Sequence, residues 1–234
     1  MINSRSRVHL KAGGHQGRRR ATSLAAGLLT LAAALSTATP AAATPPSAAF
    51  ADTPVGFTAS AAMPPEPGSP LPQRIAQFAV GQIGAQERGD NLYPKRYQNI
   101  NRKHIQRPAS WCGVFVNWAW AKAGVTQRPS MNPARGSAQG HWATYWQKWG
   151  KEHHRWKPIS KRNPWKGDVV VYGNYPESGH VGIVVDVKYD RDGKVTHVRT
   201  VEGNISDKVT DLGWRQITEL TGNGLKATGF VSPI

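Results

Sequence analysis

The chain has 234 residues, a single cysteine, 30 Lys+Arg against 14 Asp+Glu, and a formal net charge of +16. One cysteine excludes an internal disulfide framework and a thiolate-rich zinc or iron–sulfur centre, and no apolar run reaches the roughly 18 residues that span a bilayer. The first 51 residues hold six basic residues and no acidic one, while the other 183 keep 24 basic against 14 acidic, a net +10. The positive charge therefore belongs to the body of the protein and directs it to polyanions: nucleic acid, anionic lipid surfaces or wall polymers.

Arg18, Arg19 and Arg20 precede the apolar stretch 24–35 (LAAGLLTLAAAL), which is too short to span a membrane. Small residues follow, with A-x-A sites at 41–43 and 49–51. A positive segment, a short apolar segment and such a site predict a signal peptide over 1–51, cut after Ala43 or Ala51, and hence a secreted protein at the cell wall or beyond it. The small-residue tract disfavours the competing reading, an uncleaved membrane anchor. Residues 44–70 carry seven prolines among Ala, Ser and Thr, a composition that buries little and stays extended. Residues 52–70 are thus a linker or propeptide, and the folded unit is expected over 71–234.

In chain order, 72–84 (PQRIAQFAVGQIG) sets Ile75, Phe78, Ala79 and Ile83 on one helical stripe, with Gly84 as its stop. Residues 89–106 are polar and turn-rich. Ser110 then reads as the N-cap, and Gly124 as the C′ residue, of the helix WCGVFVNWAWAKAG. That helix is apolar nearly all round and belongs in the core. Residues 140–150 (GHWATYWQKWG) predict a short amphipathic helix. From 163 onward the chain changes to β-branched runs: DVVVYG, SGHVGIVVDV and KVTHVRTVE, the last two joined by a hairpin turn at 190–193. Helices first and antiparallel strands afterwards predict an α+β fold.

Cys112 is the sharpest chemical signal. It falls in the first turn of a buried helix, where the positive end of the helix dipole favours thiolate. It is also unpaired in a chain expected to be exported. An inert core cysteine is the competing reading; position and compartment together favour a nucleophile. A nucleophilic thiol needs a base. His9 and His15 lie in the signal segment, and His104, His141, His153, His154 and His197 carry no further marker. Adjacent side chains diverge, so His153 and His154 are not expected to share a metal. His180, in Ser178-Gly179-His180-Val181-Gly182, opens an apolar strand with glycines on either side that leave room for a substrate. An orienting group is then required. In Val201-Glu202-Gly203-Asn204, Glu202 and Asn204 share a face if the strand persists; a solvated strand end and a turn residue are the plain alternatives.

Taken together, WCGVFVNWAW, PWKGDVVVYG, SGHVGIVV and VEGN resemble, in the same order, the corresponding segments of CHAP domains. These are cysteine, histidine-dependent amidohydrolases/peptidases of the papain-like superfamily, and IAQFAVGQIGAQERGDN is similar to their opening segment. The resemblance covers about 71–210. It implies a papain-like fold and peptidoglycan hydrolysis, either as an N-acetylmuramoyl-L-alanine amidase or as an endopeptidase within the peptide. It further implies that Cys112 attacks the scissile amide and that His180 is its base. Glu202 would orient the imidazole, and Asn204 would help orient it or polarise the oxyanion. Some CHAP domains carry an acidic calcium loop before the cysteine, and calcium needs several oxygen ligands. The stretch 91–110 contains neither Asp nor Glu, so no calcium site and no cofactor are expected.

Eight of the nine tryptophans lie between Trp111 and Trp165; most are expected in the core, with one or two free to line a groove. The expected partners are peptidoglycan and anionic wall polymers, with no nucleic acid, no stable membrane insertion and a monomeric state. Two other readings make different demands. A non-catalytic wall binder would not need Cys112, and a papain-like protease or transamidase with another substrate would release no wall fragments.

Overall fold

The chain divides into Met1–Thr53 and Pro54–Ile234. The computed structural model describes residues 65–100, 109–131 and 139–234. The expected signal segment and most of the linker lie outside the described residues. Three helices come first: α1 (Leu71–Val80), α2 (Cys112–Lys122) and α3 (Tyr145–Glu152). Seven strands follow: β1 (Trp156–Pro158), β2 (Val169–Tyr172), β3 (His180–Tyr189), β4 (Val195–Ile205), β5 (Lys208–Gln216), β6 (Thr221–Gly222) and β7 (Leu225–Val231). They form an antiparallel sheet in the order β1-β7-β2-β3-β4-β5, with β6 pairing β7. The fold is α+β, as the sequence predicts.

The apolar sequence of α2 makes it the centre of the molecule: every residue from Cys112 to Trp120 is buried. The helix closes at Gly124, whose φ of +94° is the left-handed value that glycine adopts most readily. Its start differs from expectation. Trp111, not Ser110, is the N-cap, and no side chain caps the first turn. Helix α1 ends at Val80, short of Gly84. Beyond it the chain tightens into i to i−3 bonds (Gln82 N–H to Ala79 O, Ile83 N–H to Val80 O). The Gly84 N–H then turns to Val209 O of β5. Ile83 therefore leaves the apolar stripe and is 39% exposed. Helix α3 starts only at Tyr145, so Trp142 lies ahead of it while Trp146 and Trp149 are buried.

One face of the sheet packs Val171, Val181, Ile183, Val185 and Val201 against the helices. The other buries Val170, Tyr172, Val184, Val198 and Phe230 in a second core. The β3–β4 turn is held by Asp190 Oδ1, which accepts the N–H groups of Asp192 (3.0 Å) and Lys194 (2.8 Å). Strands β1, β5, β6 and β7 have no counterpart in the sequence expectations. Strand β7 runs between β1 and β2, a non-local pairing of the chain's last strand with its first two. Register places Tyr172 opposite His180 and Gly182 opposite Glu202, which sets the site.

Candidate active site

Cys112 is the first residue of α2 and is 4% exposed. Its side chain accepts hydrogen bonds from the backbone N–H groups of Gly113 and Val181 and bonds to His180. This accounts for the missing N-cap: the Gly113 N–H, at the second helical position, is one of those a capping side chain would take, and it goes to Cys112 instead. The chain passes tightly over this turn. A Cβ on Gly113 would lie 2.2 Å from His141 O, so only glycine fits beside the cysteine.

His180 opens β3 and is 3% exposed. Its ring stacks on Tyr172 with centroids 5.8 Å apart. Nε2 lies 2.9 Å from Glu202 Oε2, a close charge contact set off the direction of the ring N–H. With Nε2 against the carboxylate, Nδ1 is the nitrogen left for Cys112. Glu202 is fully buried, and its other oxygen is saturated. Oε1 accepts from Tyr172 Oη (2.6 Å), Thr200 Oγ1 (2.6 Å) and Arg215 Nη2 (2.8 Å). Arg215 also donates to Tyr172 Oη at 2.9 Å and, through Nη1, to Thr221 O. A buried carboxylate needs such partners to remain ionised.

The charges follow from these contacts. Burial pushes the Cys112 thiol up, but the facing His180 charge and the hydrogen bonds from His180, Val181 and Gly113 outweigh it, so the thiol titrates below its ordinary 9.0. Burial disfavours the charged form of His180, yet Cys112 and then Glu202 reverse this and raise the imidazole from 6.5 to about 10. Burial likewise raises Glu202, while His180, Thr200 and Tyr172 more than compensate and hold it below 4.5. The directions agree: each shift favours the charged form, thiolate on Cys112, imidazolium on His180 and carboxylate on Glu202.

Three of the four residues singled out in the sequence are thus brought together. Asn204 is not joined to them. The ladder shifts register between Glu202 and Ile205, and Asn204 has φ +65°, so strict alternation stops after Glu202. No hydrogen bond links Asn204 to His180 among the described residues. Tyr172, Thr200 and Arg215 escape the sequence reading. Thr200 lies one alternation before Glu202 on β4 and is legible in retrospect, whereas Arg215 arrives from β5 without any local signal.

His153 and His197 are engaged elsewhere. His153 Nδ1 donates to Trp149 O (2.9 Å) and its ring stacks on Trp149 at 4.4 Å, while His197 contacts Thr196 Oγ1. His104 lies outside the described residues. Among the described residues no three His, Cys, Asp or Glu side chains gather as a metal would require. Of the tryptophans outside the core, Trp142 is half-buried against Tyr175 (5.1 Å), and Trp165 is 52% exposed beneath Lys157.

Comparison with curated proteins gave no match, and comparison with solved structures gave none. Residues 104–204 match the family model of the CHAP domain, a stretch that includes Cys112, His180, Glu202 and Asn204. The buried Cys112–His180 pair and this match agree with the order of motifs in the sequence: residues 104–204 are similar to a CHAP domain.

Proposed function

We propose that the protein is a secreted peptidoglycan hydrolase that cleaves an amide bond through a thioester on Cys112. The observation that supports this reading most is the buried line of Cys112, His180 and Glu202, in which the imidazole meets the sulfur on one side and the carboxylate on the other. The Cys112 sulfur attacks the scissile carbonyl. The oxyanion is met by the Cys112 N–H, which has no acceptor within its own helix at this first-turn position. His180 gives its proton to the departing amine, the C–N bond breaks and the thioester remains. His180 then takes a proton from water, the hydroxide adds to the thioester carbonyl, and Cys112 leaves as thiolate with a carboxylic acid as product. In this proposal Glu202 alone orients the imidazole, and Asn204 is confined to the oxyanion.

Secretion rests on the segment 1–51, the catalytic unit is assigned to 71–234, and the net +10 beyond residue 51 suits a wall carrying anionic polymers. The test uses protein starting at Asp52, beside its Cys112→Ser variant, incubated with purified peptidoglycan, with soluble products identified by mass spectrometry. Release by the wild type alone supports the proposal, and the new termini separate a muramoyl-alanine amidase from a peptide endopeptidase. No release from walls of several chemotypes, with a thiol that still alkylates at neutral pH, would favour a cysteine hydrolase with a non-wall substrate. Equal release by both proteins would remove Cys112 from the mechanism.

A further inference from the structure

A second feature lies between the end of α1 and α2, in a cleft of about 530 Å³ lined by Gln86, Arg88, Pro94, Lys95, Arg96 and Gln98, all from the segment that joins the two helices in sequence. Three cations and two amides line it without a carboxylate. Both guanidinium groups are held in place by the protein: Arg88 Nε donates to Tyr93 O (3.0 Å), and Arg96 Nη1 donates to Gln82 Oε1 (3.2 Å). The remaining nitrogens of each fork are not needed for those bonds. The adjacent acid, Glu87, is turned elsewhere. Its Oε1 accepts the Asn91 N–H (3.1 Å), and its Oε2 lies 3.5 Å from Trp111 Nε1. No ion pair joins Arg88, Lys95 or Arg96 to a carboxylate among the described residues.

The three cations have no protein counter-charge, and guanidinium forks fixed from behind match the paired oxygens of phosphate or carboxylate. One wall of the cleft is joined to the helix that carries Cys112. The 3₁₀ turn Lys95–Ile100 packs on α2. Its Tyr97 ring lies 6.3 Å from that of Trp111, the residue before Cys112.

We propose that this cleft is an oxyanion-binding subsite that holds a phosphate or carboxylate of an anionic wall polymer while Cys112 acts on a neighbouring amide. The choice of a wall polymer rests on the function proposed above; the oxyanion chemistry does not. Binding should weaken with salt, since the cations are exposed.

The test measures co-sedimentation of the Cys112→Ser protein with walls retaining phosphodiester polymers and with walls stripped of them. A soluble polyphosphate is titrated in parallel. The cleft double variant, Arg88→Gln with Arg96→Gln, is compared with a charge-matched control in the exposed β3–β4 turn, Arg191→Gln with Lys194→Gln, after melting curves confirm that both fold. The expected result is about a tenfold or greater loss of affinity per arginine in the cleft variant, the effect of a lost charge-assisted hydrogen bond, with little change in the control. Loss on polyphosphate and intact walls alone identifies phosphodiester as the ligand; loss on stripped walls as well identifies carboxylate. Equal losses in cleft and control variants would overturn the proposal, as would unchanged binding in the cleft variant. Tighter binding to a DNA oligonucleotide than to either wall would replace it with nucleic-acid binding. Should wild-type protein release nothing from walls while the cleft variant still loses polyphosphate, the hydrolase reading fails and the subsite stands.

Discussion

Gly182 and Glu202 face each other across the β3–β4 ladder so closely that a Cβ on Gly182 would lie 2.4 Å from Glu202 Cγ and 2.9 Å from Cδ. The carboxylate reaches His180 through space that only a missing side chain leaves. Gly182→Ala should therefore displace Glu202 from Nε2. The expected cost is roughly 1–3 kcal/mol of stability from overpacking, with a fall in kcat/KM out of proportion to it. Thermal melts and wall-release rates measured on the same preparations check this. Full activity in a folded Gly182→Ala protein would show that Glu202 does not need its present position.

Glu202→Gln isolates the charge from the shape. The amide can still accept from Tyr172, Thr200 and Arg215, but its NH₂ then faces His180 Nε2. Only an unprotonated Nε2 can meet that donor, which leaves the ring neutral with its one proton on Nδ1, so that it can neither carry the imidazolium charge nor take a proton at the nitrogen that faces Cys112. A fall in kcat/KM of roughly 10²–10⁴-fold is expected. Stability provides a second reading. The folded carboxyl titrates below its ordinary 4.5, so its contribution is present above that pH and is lost as pH falls through the lower folded value. Urea unfolding on acidification below pH 4.5 should be steeper for the wild type than for the variant.

The sequence reading succeeded where the signal was local. Helix α2 is apolar nearly all round, and β2, β3 and β4 are β-branched runs bounded by turn residues, so each declares its own structure. Strand β5 (KVTDLGWRQ) and β7 (LKATGFV) mix polar and small residues; their strand character comes from pairing partners far away in the chain. The site divides in the same way. Cys112, His180 and Glu202 lie in segments whose order resembles a family, whereas Arg215 reaches Glu202 only because β5 pairs with β4. Asn204 shows the limit of alternation: one left-handed residue breaks the two-residue period on which its placement beside Glu202 depended.

Arg215 gives a prediction that sequence reasoning would not have made. Its guanidinium shares Glu202 Oε1 with Tyr172 and Thr200, so its removal takes a cation away from a buried carboxylate. In Arg215→Gln the Glu202 carboxyl should titrate higher, and the acid limb of the activity profile should move to higher pH. Stability should drop by about 1–3 kcal/mol. Arg215→Lys, which restores the charge, should move the acid limb back toward the wild-type position. An acid limb identical in all three proteins would make Arg215 a packing residue alone.

Cys112 is the chain's single cysteine, so every alkylation event reports on it. The rate of iodoacetamide labelling across pH, followed by intact mass, measures the thiolate directly, and residual wall activity can be read from the same samples. The charge pair with His180, itself raised to about 10, predicts an inflection below the ordinary thiol range and loss of activity in step with labelling. An inflection at or above that range, or activity persisting in fully labelled protein, would contradict the thiolate–imidazolium pair on which the mechanism depends.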